Sequence, residues 1–122
     1  MNAALILEAT AGDLRGEQFR FTRPSYCVLG RSRVCNLRLP GDATVSRQHC
    51  LLELAADGVW VQDLGSLNGT FVNGGKIGQR DARHDGDATM VRPGRQSLRD
   101  GDLLRIGNNV FAVRVMDAAV TP

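Results

Sequence analysis

The chain has no apolar run approaching the roughly 20 residues that a membrane-spanning helix needs. Its opening stretch, Met1 to Glu8, lacks the basic start and long apolar segment of a secretory signal. Both absences lead us to expect a cytoplasmic protein. Charge of one sign is scarce too: 15 basic residues against 13 acidic ones leave +2. That surplus is too small for a general binder of nucleic acid or anionic membrane, and neither partner is expected. Cysteine is limited to Cys27, Cys35 and Cys50, an odd number without Cys-x-x-Cys spacing. This argues against a disulfide framework or a zinc site and for buried, reduced thiols. Helical periodicity is missing over any useful length.

What remains is a series of short apolar or alternating runs bounded by Gly, Pro, Asn and Asp, the pattern of an all-β protein. Strands are expected at Ala4–Glu8, Gln18–Phe21, Tyr26–Leu29, Leu37–Leu39, Cys50–Leu54, Val59–Asp63, Thr70–Val72, Leu103–Ile106 and Val110–Val115. In the last of these, Phe111, Val113 and Val115 share one face while Ala112 and Arg114 share the other, so one side is wet. A single domain of 122 residues built this way favours a sandwich of two antiparallel sheets. Asn73-Gly74 is the strongest hairpin signal, because both residues tolerate positive φ.

Three blocks carry chemistry. Gly30-Arg31-Ser32 follows a strand, and Arg31 on the resulting loop offers a planar fork that matches phosphate oxygens and keeps its charge. Ser46-Arg47-Gln48-His49 adds a hydroxyl and a second guanidinium just before the next strand; Ser46 either donates to an anion or caps a turn. Asp63-Leu64-Gly65-Ser66-Leu67-Asn68-Gly69-Thr70 ends a strand in a loop where the Asn68 amide can pair with an extended main chain. A catalytic reading, with Ser46 as nucleophile, His49 as base and Asp63 or Asp42 as orienter, is rejected. The chain has no Gly-x-Ser-x-Gly elbow, and a nucleophile three residues before its own base is an unusual local arrangement. Gly74-Gly75-Lys76 lacks Walker A spacing. No enzyme, metal or cofactor is expected.

In their order and spacing these blocks, followed by Leu98-Arg99-Asp100-Gly101-Asp102-Leu103-Leu104-Arg105-Ile106-Gly107, resemble the forkhead-associated (FHA) domain in its bacterial form. The resemblance runs from the first strand to about Val115. It implies a sandwich of about eleven short strands with ligand loops at one end, and a module that reads phosphothreonine peptides in Ser/Thr kinase signalling. Its partner would be a Ser/Thr kinase or a kinase substrate. By the same resemblance Arg31 and Ser46 bind the phosphate, with Arg47 assisting, and Asn68 binds the peptide backbone. Gly30, His49, Ser66, Gly69 and Asn73 shape the loops. Leu67 departs from the family, which often has Thr or another small polar residue there. Some family members instead serve as phosphorylation-independent scaffolds on the same fold, and Arg31→Ala separates the two: it abolishes phosphopeptide binding and spares scaffold contacts.

On this reading residues 1–116 form the domain and 117–122 a tail or linker. A polar segment, 78–97, exceeds the usual family span and the length of ordinary structureless loops. Because the Asn73-Gly74 hairpin turns the chain back through Lys76 and Ile77, this segment either borders the peptide groove or makes a solvated excursion.

Overall fold

The computed structural model describes residues 3–22, 25–80 and 95–117. Among these, every regular element is a strand: β1 (Ala3–Ala11), β2 (Gln18–Phe21), β3 (Ser25–Gly30), β4 (Leu37–Arg38), β5 (Cys50–Ala55), β6 (Gly58–Asp63), β7 (Thr70–Val72), β8 (Gly75–Gly78), β9 (Gln96–Leu98), β10 (Leu103–Ile106) and β11 (Asn109–Asp117). They form two sheets, one in the order β2-β1-β11-β10-β7-β8 and the other β4-β3-β5-β6-β9. All pairings are antiparallel except β3 with β4. Parallel neighbours normally need a long crossover. Here β4 has two residues, and Asn36 replaces a strand partner by accepting the Val28 N–H on Oδ1 and donating its own N–H to the Val28 carbonyl.

Alternation along the strands sends one side chain in two to the interior. Leu5, Leu7, Leu104, Ile106, Phe111 and Val113 from the first sheet meet Leu29, Cys50, Leu52, Val59 and Val61 from the second in one buried cluster. Phe19 closes its flank, edge-on to Phe111 with ring centroids 6.4 Å apart. On β11, Phe111 and Val113 are buried and Arg114 is exposed, as the alternation requires.

Two strands lie outside the nine expected. β8 pairs with β7 across the two-residue Asn73-Gly74 turn, where φ is 51° and 83°, the positive pair that a tight hairpin with matching twist demands. β9 pairs with β6, so the polar segment expected over 78–97 begins and ends within sheet. Residues 81–94, which include His84, and 118–122, the tail, lie outside the described residues. The thiols also differ in part from expectation: Cys27 and Cys50 are buried, but Cys35 is half-buried and donates its S–H to the Arg47 carbonyl at 3.0 Å.

Candidate functional site

At one end of the sandwich the segments leaving β3, β4, β6 and β8 converge. Arg31 and Ser32 follow β3, and their N–H groups donate to the carbonyls of Ser46 (3.1 Å) and Arg47 (3.0 Å). Two loops can zip together this closely only because Gly30 has no side chain: a Cβ there would stand 2.2 Å from the Arg47 carbonyl oxygen. Gly30 does not adopt positive φ. Its role is close approach rather than the sharp turn its position in the sequence suggests.

Four buried side chains, His49, Asp63, Ser66 and Asp42, hold the loops. The His49 ring accepts the Ser46 N–H on Nδ1 at 3.0 Å, which puts the ring proton on Nε2, 2.8 Å from the Gly69 carbonyl. Burial lowers the His49 pKa, against the opposing pull of the Gly69 carbonyl, Asp63 and Asp42, so the ring is a neutral tie between loops. Both ring nitrogens are occupied and neither touches Ser46 Oγ, so the nucleophile–base bond of a serine hydrolase is absent.

Asp63, at the end of β6, gathers four donors: the N–H groups of Gly65 (2.8 Å) and Ser66 (3.0 Å) and the hydroxyls of Ser66 and Thr70 (2.6 Å each). Ser66, wholly buried, passes the constraint on by accepting the Gly69 N–H at 2.9 Å. Gly69 turns with φ of 93°, a conformation side-chain-bearing residues rarely adopt. Asp42 plays the matching part for the β4–β5 loop. It accepts the Thr44 N–H and hydroxyl on one oxygen, and the Asn108 N–H (2.7 Å) and Asn109 amide (3.0 Å) on the other. Burial pushes its carboxyl up, but those hydrogen bonds outweigh burial and hold the pKa below the ordinary value.

On this frame sits a cleft of about 460 Å³ lined by Arg31, Ser46, Arg47, Leu67 and Arg80 with Ser32, Gln48, Leu64 and Gly65. Arg31 donates its Nε to the Val45 carbonyl, and among the described residues its Nη1 and Nη2 donate to nothing. Ser46 Oγ already accepts the Leu67 N–H at 3.1 Å, which leaves its proton for an incoming acceptor. Asn68 is exposed and latches its loop to the β4–β5 loop by donating Nδ2 to the Thr44 carbonyl at 2.8 Å. Its Oδ1 accepts nothing among the described residues. Among the described residues no carboxylate lines the cleft. Such a site can hold an anion bidentately with a hydroxyl assisting. Among the described residues no cluster of three or more His, Cys, Asp or Glu is placed to hold a metal.

The structure thus brings Arg31, Ser46 and Arg47 to one cleft, with Asn68 on the β6–β7 loop that helps line it and Gly30, His49, Ser66 and Gly69 in the loops that frame it. Asn73 stands apart. It lies at the other end of β7, where its side chain accepts the Leu103 N–H (2.8 Å) and donates to Asp102 (2.9 Å), fixing the hairpin. Asp63 and Asp42 are not among the residues expected at the site, and Arg80 enters only as part of the 78–97 segment expected either to border the peptide groove or to make a solvated excursion. The signals were an acidic residue ending a strand before Gly-Ser, and a hairpin returning the chain to this end.

The family model described as the FHA domain matches residues 27–107, which contain nearly all of this frame. The chain belongs to the FHA domain family. The FHA domain is 30% identical, in an alignment of 116 residues that covers 86% of this chain, to the ABC transporter ATP-binding/permease protein Rv1747 of Mycobacterium tuberculosis, but spans only 13% of that relative. Among solved structures it is similar to the kinase-interacting FHA domain of the kinase associated protein phosphatase KAPP in Arabidopsis. That match has a TM-score of 0.77 at 27% identity, covering 95% of this chain and 96% of the other. It is also similar to an FHA domain characterised for phosphothreonine-dependent interactions, with a TM-score of 0.66 at 28% identity, covering 96% and 98%.

Proposed function

We propose that this FHA domain binds phosphothreonine peptides in a bacterial Ser/Thr kinase pathway, with a Ser/Thr kinase or a kinase substrate as partner. The observation that carries this is the cleft itself, where the open edge of the Arg31 guanidinium, the available Ser46 hydroxyl and Arg47 come together with no carboxylate among the described lining residues. Arg31 and Ser46 hold the phosphate, Arg47 joins them, and Asn68 takes a peptide N–H on Oδ1. A phosphothreonine brings about −1.5 to −2 charge near neutral pH, which an unmodified threonine cannot offer, so the switch lies in the ligand. The relative with phosphothreonine-dependent interactions and the kinase-interacting relative support the reading. The mycobacterial relative supports its bacterial setting.

Within this reading the domain runs over residues 1–116 and works in the cytoplasm as a binding module rather than an enzyme. No described helix is long and apolar enough to cross a membrane. A degenerate phosphothreonine peptide library tests the function against matched phosphoserine and unmodified pools. We expect retention of the phosphothreonine pool, with phosphoserine weaker. Equal retention of the unmodified pool would favour a phosphorylation-independent scaffold.

A further inference from the structure

The cleft holds one cation more than a single phosphate engages. Arg80, just past β8, donates its N–H to the Ser66 carbonyl at 2.7 Å and its Nε to the Gly65 carbonyl at 3.1 Å. It is therefore fastened to the 64–67 loop by both backbone and side chain. Next to it, the Gln79 amide donates to the Leu67 carbonyl at 2.5 Å and ties the same two segments again. Arg80 lines the cleft that Arg31 and Arg47 line, and among the described residues its Nη1 and Nη2 donate to nothing. Three arginines thus line one cleft, and among the described residues no carboxylate lines it. Two of them match the charge of a phosphothreonine, so the third is left with no countercharge from that group. An anchored guanidinium is also preorganised, which reduces the entropy lost when it takes up an anion.

We propose that the peptide carries a second anionic group, a carboxylate or a further phosphate, near the phosphothreonine, and that Arg80 receives it. This rests on the phosphothreonine reading above. The test is calorimetric titration of the wild type, Arg80→Gln and Arg80→Lys with three peptide sets. One has a single phosphothreonine and neutral flanks. The second adds one aspartate, and the third a second phosphothreonine, at each position up to three residues on either side.

At one or two adjacent positions the second anion is expected to tighten wild-type binding roughly tenfold. That gain should fall below about twofold in Arg80→Gln and be intermediate in Arg80→Lys, which keeps the charge but not the fork. The aspartate and phosphate arms tell a carboxylate from a phosphate. A neutral-flank peptide that binds while no position gives a gain would overturn the Arg80 proposal alone, and so would a gain that persists in Arg80→Gln. No binding by any peptide overturns the phosphothreonine reading as well.

Discussion

His49 has both ring nitrogens inside the protein, one on the Ser46 amide and one on the Gly69 carbonyl, so protonating it breaks a tie between the loops that form the cleft. Burial lowers its pKa below the ordinary 6.5 to which it returns in the unfolded chain. Below about pH 6.5 the unfolded chain therefore takes up a proton that the folded chain refuses. The His49 contribution to stability is complete above that pH and declines as pH falls through it toward the folded-state value. Urea unfolding should show stability dropping as pH falls below about 6.5, before ordinary carboxylates titrate. His49→Gln should flatten that slope. An equal slope in both proteins would remove His49 from this role.

At the scale of elements, the loop-bearing strands divide into a ligand end and a far end, and two residues report on them separately. Gly30→Ala places a Cβ against the Arg47 carbonyl and forces the β3 and β4–β5 loops apart. It should cost about 1–3 kcal/mol and weaken phosphopeptide binding as well. Asn73→Ala removes two side-chain hydrogen bonds and a residue suited to positive φ at the hairpin, also costing about 1–2 kcal/mol. It should leave phosphopeptide affinity unchanged. Thermal unfolding and peptide titration of both variants check the contrast, and equal binding losses would mean that the two ends are coupled.

The same division explains what could be read without a structure. The Asn73-Gly74 hairpin, the buried alternation of β5 and β6, and Arg31, Ser46 and Arg47 were legible because each is a local pattern of residue types. β8 and β9 were not. β8 is half glycine, and β9 turns only Leu98 fully into the core. Asp42 and Asp63 resembled candidate orienters of a triad, because what they bind is backbone and hydroxyls brought near by folding: Asn108 is 66 residues from Asp42.

For the molecule as a whole, the sandwich supports a cleft where loops from both sheets meet. In the first sheet's half of the frame, Gly69, Thr70 and Arg80 border β7 and β8; in the second, Arg31, Ser46 and Asp63 border β3, β5 and β6. Binding should therefore depend on the phosphate more than on the peptide's apolar area. Calorimetric titration of the wild type and Arg31→Ala with one phosphothreonine peptide and its dephosphorylated twin tests this most directly. The account predicts saturable wild-type binding to the phosphorylated peptide alone, and a loss of about 100-fold or more in Arg31→Ala with thermal stability retained. Equal affinity for the two peptides, or undiminished binding by Arg31→Ala, would contradict it.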